Sequence, residues 1–126
     1  MAKQRYVRVG DALNDDAIVV VRGGELDAEV LRADAERYHA VYGGYGLSVF
    51  AARDVSVDEL AQQAPLVRFG VLTLMRVGVL RGAGLRLDPT GRDPRHFTVV
   101  FDDLEAGIER LKRCEHRVWL NPYHED

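Results

Sequence analysis

Apolar positions recur along this chain with two periods, and the switching between them divides it into elements. "YVRVG" at 6–10 alternates β-branched and polar residues, which predicts a short strand stopped by Gly10 and Asp11. Ile18 to Val21 form an unbroken β-branched run between turn residues; a run apolar on both faces predicts the middle of a sheet. Asp27 then offers an N-cap and Glu29 an acid in the first turn. Leu31, Ala35, Tyr38 and Tyr42 follow at spacings of four, three and four. That spacing predicts a helix from 27 to about 42 with this stripe against the sheet and Arg32, Glu36 and His39 on the wetter side. "LSVFAA" at 47–52 reads as the next strand, and 55–64 as a short helix with Ser56 and Glu59 as a capping box. Residues 65–84 carry both periods. A strand suits 67–69, and a helix suits 71–84, with Leu72, Met75, Val79 and Leu80 inward and Gly84 as its stop. "LRLD" at 85–88 predicts a short strand, 89–95 an exposed loop, and "HFTVVFDD" at 96–103 a strong strand. A last helix at 103–114 puts Leu104, Ile108 and Leu111 on one face. Residues 115–126 read as an irregular tail with Trp119 packed and Pro122 ending regular structure.

This order predicts one α+β domain over 1–126, with a mixed sheet of about five strands and three to four helices. The densest punctuation is "RYHAVYGGYGLSVF" at 37–50. Gly43 or Gly44 would supply the positive φ of a helix end, and Gly46 the freedom for a sharp exit into the strand. His39 and Tyr45 are then left at the corner with polar groups available.

Composition narrows the class. With 47% hydrophobic and 29% charged residues in 126, the chain is of ordinary globular make-up rather than disordered. A net charge of -3 gives no overall attraction to nucleic acid or to an anionic membrane. Lys occurs only at Lys3 and Lys112, and the other fifteen cations are Arg, a bias that suits planar contacts with carboxylate or phosphate and that GC-rich codons also produce. Cys114 stands alone, so neither an internal disulfide nor a two-thiolate zinc site forms within one chain. The start "MAKQRYVRVGD" has no signal-like apolar run, and nowhere do about 18 apolar residues follow one another. The expectation is a soluble, cytoplasmic protein that does not enter a membrane.

Candidate chemistry gathers at two places. In "GRDPRHF", Arg92 and Arg95 flank a loop that delivers His96 to a strand mouth, an arrangement equipped for general acid or base work beside an anion. The alternative is a plain connection in which Asp93 and Pro94 set a turn. At the corner, His39 and Tyr45 are the further candidate catalytic groups. "VVVRGGELD" at 19–27 has the strand, glycine and helix-start layout of a phosphate site, with Arg22 joining Arg92 and Arg95 as a candidate anion contact. It lacks Walker or dinucleotide spacing, and Glu25 and Asp27 would repel phosphate. His39, His96, His116 and His124 are scattered without metal-ligand spacing, so no metal is expected, and no motif implies a cofactor. Neither Ser48, inside a strand, nor Cys114, at a helix end, carries a nucleophile motif.

Taken in order, "VVVRGG", "YGLSVF", "PRHFTVVF" and the terminal "NPY" resemble a set of small uncharacterised actinobacterial proteins. Short one-domain proteins of that kind often form one half of a toxin and antitoxin pair, an analogy that implies a partner. Two functions follow as expectations. One is a toxin-like enzyme acting on RNA or a nucleotide without a metal, through His96, His39, Tyr45 and the arginines. The other is a non-catalytic interaction module with a protein partner or a second copy, with Trp119 and Tyr123 as anchors. A cleft that gathers the histidines and arginines favours the first, and their dispersal favours the second.

Overall fold

The computed structural model describes residues 2–125. In chain order it contains β1 (Ile18–Gly23), α1 (Ala28–Tyr42), β2 (Tyr45–Ala51), α2 (Val57–Ala61), a 3₁₀ turn (Leu66–Arg68) and β3 (Val71–Arg76). These are followed by α3 (Val77–Gly82), β4 (Arg86–Asp88), β5 (His96–Phe101), α4 (Leu104–Arg113) and β6 (Arg117–Leu120). The strands form one sheet in the order β4-β5-β2-β1-β3-β6. The domain is α+β as the pattern predicts, but the sheet has six strands rather than five and every pair is antiparallel, so it is not mixed.

Two apolar layers sandwich the sheet. Val19, Val21, Leu47, Val49, Phe97 and Val99 meet Leu31 and Ala35 of α1, Leu80 of α3, and Ile108 and Leu111 of α4. On the opposite face Val20, Leu72 and Leu74 meet Leu60, Ala61 and Leu66, with Trp119 and Tyr123 packed against them. The double-sided run at 18–21 is thereby explained: β1 is an interior strand with helices on one side and the 57–68 segment on the other. Val99 and Phe101 are likewise buried in interior strand β5.

Helix starts follow their caps. The Asp27 carboxylate accepts from the Glu29 and Val30 amides at 2.9 and 3.2 Å, the Ser56 hydroxyl from Glu59 at 3.1 Å, and Asp103 from Ala106 at 2.9 Å. Gly43 ends α1 at φ +83°, its amide donating to the His39 carbonyl at 2.8 Å. Tyr38 is half-buried and His39 exposed, so the stripe faces as its spacing predicts.

Four expectations need correction. Residues 6–10 are not a strand: Val7 makes one bridge to Thr90, and Tyr6, Val7 and Val9 are exposed, so alternation found no face to bury. Residues 66–68 are a 3₁₀ turn, and 71–76 are strand, not the opening of a helix. An apolar run satisfies both periods, so Leu72 and Met75, read as one helical stripe, lie on opposite faces of β3. The tail is not irregular at 117–120, where β6 pairs with β3 from Val71 opposite Leu120 to Leu74 opposite Arg117. Gly46 does not form a sharp exit ahead of the strand, which already begins at Tyr45. It lies inside β2, where a Cβ would stand 2.8 Å from Thr98 Cγ2 and 3.1 Å from Tyr38 Cε1.

Candidate functional site: a cleft within the sheet

The two central strands part company halfway along. β1 and β2 pair only at Val19 with Ala51 and Val20 with Phe50. Beyond that point β1 stays with β3, through Arg22 opposite Thr73 and Gly23 opposite Leu72. There Gly24 donates to the Val71 carbonyl at 2.7 Å and the Thr73 hydroxyl donates to the Gly24 carbonyl at 2.7 Å. β2 instead keeps β5, from Phe50 opposite His96 to Tyr45 opposite Phe101. The gap is a cleft of about 540 Å³, walled by Val20 to Gly23 and by Gly46 to Ser48, with α1 on one side and Leu66 and Phe69 on the other.

Strand geometry fixes what faces the gap. The Ala52 amide donates to the Ile18 carbonyl at 2.9 Å, across the β1–β2 boundary. Alternate residues of a strand turn their N–H and C=O the same way, so Phe50, Ser48 and Gly46 also turn theirs toward β1. Opposite Ser48 and Gly46 the ladder has already ended.

A β-bulge sets the cleft's charge. The β1–β3 register slips between Val20 and Arg22, leaving Val21 as the extra residue. Strict alternation would put Arg22 on the same face as Val20; the bulge moves it to the helical face, where its Nη1 donates to Asp34 Oδ2 of α1 at 2.7 Å. Arg37 contacts the other oxygen of Asp34. Arg22 Nε is buried and, among the described residues, has no hydrogen-bond partner. One residue later Gly23 is obligatory, because the Phe69 ring lies 2.3 Å from where its Cβ would stand. Tyr38 reaches across to Gly46, and its hydroxyl accepts from Arg5 Nη1 at 3.2 Å, while Arg5 also pairs with Asp88. Burial works against the Arg5 charge, but its bonds to Tyr38 and Asp88 raise its pKa above the ordinary value.

The "GRDPRH" loop is organised from a different direction. Arg8 uses all five of its N–H donors there. Nε reaches Asp11 at 2.7 Å; Nη1 reaches the carbonyls of Thr90 at 2.6 Å and Gly91 at 3.1 Å; Nη2 reaches those of Pro94 at 3.3 Å and His96 at 2.9 Å. The Asp93 carboxylate accepts from the Arg95 amide at 2.9 Å, the turn its sequence suggests. His96 Nδ1 lies 2.9 Å from the Thr90 carbonyl and 3.0 Å from the Thr90 hydroxyl. Its ring meets the edge of Phe50 at 5.4 Å. Arg92 stands 5.5 Å over the Tyr6 ring, and Arg95 Nε is buried without a partner among the described residues. At the helix corner His39 and Tyr45 stack on each other at 4.3 Å. Tyr45 and Phe50 begin and nearly end β2, so His39 with Tyr45 and His96 lie about 17 Å apart along the strand direction.

Of the six residues expected to form a site, Arg22 alone borders the cleft, and the others form two separate groups. Sequence pattern alone does not single out Arg8, Asp34, Arg37 or the facing Phe50 and Phe69. Cys114 is buried with Sγ 3.3 Å from the Arg110 carbonyl, and burial pushes its thiol up. Among the described residues, no group of three or more His, Cys, Asp or Glu is placed to hold a metal, and no helix is long and apolar enough to cross a membrane. Compared with protein-family models, curated proteins and solved structures, the chain matches none.

Proposed function

We propose that this chain is a non-catalytic binding module that takes its ligand in the cleft between β1 and β2. The observation that carries this reading is the broken ladder. A sheet that leaves its two central strands unpaired over half their length forgoes hydrogen bonds that each strand keeps with its other neighbour. The cleft so formed has the size of small-molecule sites, apolar walls and a few converging polar groups. A toxin-like activity on RNA or a nucleotide draws less support, since it needs His96 to act with His39 and Tyr45, and the register of β2 on β5 keeps them apart.

A chemically diverse fragment set, titrated while backbone amide resonances are followed, tests the reading. The expected result is that bound fragments shift Val21 to Gly23 and Gly46 to Ser48, and that Ser48→Trp, which fills the cleft from an exposed position, removes those shifts. Fragments that bind only elsewhere, or RNA cleavage by the wild type that is lost in His96→Ala, would overturn it.

A further inference from the structure

We infer that the cleft's ligand is a small amphipathic monoanion, a carboxylate carried on an apolar body; this rests on the binding-module reading above. Charge supplies the first reason. Two guanidiniums, Arg22 and Arg37, share the single carboxylate of Asp34, one on each oxygen. One positive charge is left over at the cleft wall.

The unmet hydrogen bonds point the same way. Among the described residues Arg22 bonds through Nη1 alone. Its Nε–H and the neighbouring Nη2–H form the side-on fork of the guanidinium, on the edge away from Nη1. Nε is buried without a partner. Such a fork matches the two oxygens of a carboxylate, and a charged donor buried without an acceptor destabilises the empty protein. The bulge at Val21 is what brings Arg22 to the helical wall of the cleft, since an unbulged strand would turn it to the other face.

Ligand shape follows from the walls. Val20, Phe50, Leu66 and Phe69 offer apolar and aromatic surface, so the anionic head must carry an apolar body. The free backbone groups of Gly46 and Ser48 can take a polar substituent on that body. A phosphate dianion would exceed the one spare charge and lie close to Asp34. A polyanion such as RNA would face the same carboxylate on a chain of net charge -3.

The test uses one aromatic scaffold with the head group varied. Phenylacetate, 2-phenylethanol, phenethylammonium and phenyl phosphate are titrated against the full chain by amide and Arg Nε–H resonances. Phenylacetate is expected to bind most tightly, shifting Gly46, Ser48 and the Arg22 Nε–H. Arg22→Gln is expected to weaken phenylacetate by about tenfold or more and 2-phenylethanol by much less, so that the preference between the two is lost. Arg22→Lys, which keeps the charge and loses the fork, is expected to fall between. If 2-phenylethanol binds in the cleft as tightly as phenylacetate, the monoanion assignment is overturned while the binding module stands. Tighter binding of phenyl phosphate overturns it in favour of a dianion. If none of the probes reaches the cleft, both readings fall.

Discussion

Arg8 and Arg22 are both drawn largely out of water, with 12% and 21% of their side chains exposed, yet they end in opposite states. Arg8 commits every donor to Asp11 and four carbonyls, and its guanidinium lies 5.1 Å over the Phe97 ring. Burial lowers its pKa from the ordinary value, with the charge of Asp93 opposing that shift. Arg22 gives one nitrogen to Asp34, and among the described residues its Nε has no partner. A closed guanidinium is a fastening, while one at the wall of a cleft with donors unmet among the described residues is what the proposed ligand would engage. A set of arginines is therefore read by what each has left to donate, not by its presence in a loop.

The largest effect expected from this contrast is at the fastening. Arg8→Ala should cost about 2 to 4 kcal/mol in urea unfolding and release the amides of 89–96 to exchange, because it removes five hydrogen bonds at once, although Asp11 keeps Arg53 and the Thr90 carbonyl keeps His96. A loss below about 0.5 kcal/mol would put Arg8 in the same class as Arg22. Next is Gly46→Ala, expected to cost about 1 to 3 kcal/mol by overpacking against Thr98 and Tyr38 where the cleft narrows. Arg22→Met should change stability by less than about 1 kcal/mol and can raise it, since a desolvated donor disappears while Asp34 keeps Arg37 and stays partly solvated.

Two pH experiments separate burial from pairing at other groups. Burial pushes the Cys114 thiol up, so the unfolded chain loses this proton first. Its contribution is whole below the ordinary thiol pKa of about 8.5 and is lost as pH rises toward the higher folded value; Cys114→Ala should flatten that slope in thermal unfolding. The smallest effect is at the exposed Arg32–Glu105 pair, where the guanidinium's hydrogen bonds hold the carboxyl below its usual range. Its contribution is present above the ordinary Glu pKa and disappears as pH falls through the lower folded one. An NMR titration should show the Glu105 pKa rising back toward that of an ordinary glutamate in Arg32→Ala.

The sequence was legible where local chemistry decides. Asp27 and Ser56 announced their helices, the glycine pair 43–44 the stop that Gly43 makes, the two-sided run at 18–21 its interior strand, and "HFTVVFDD" a strand. It was illegible where a distant contact decides. β6 is four residues of charge and half-exposed apolar surface whose strand state comes from β3 alone. The 71–76 run fits helix and strand periods equally, and only its two partners choose. The site was hidden for a sharper reason: alternation assigns Arg22 to the wrong face, and the one-residue slip that corrects it arises from pairing with residues 72–76. A faint signal existed in Gly23, whose missing side chain makes room for Phe69.

Among the described residues, the backbone junction between the β4-β5-β2 half and the β1-β3-β6 half is short: the pairs Val19 with Ala51 and Val20 with Phe50, and the bond from the Ala52 amide to the Ile18 carbonyl. The amino-terminal arm is fastened beside the first half, at Thr90, and the carboxy-terminal strand forms the outer margin of the second. Tension applied across the strands therefore meets its weakest line at the middle of the molecule rather than at its rims, where α1, packed on β2 and tied to β1 through Asp34 and Arg22, braces the line against unzipping.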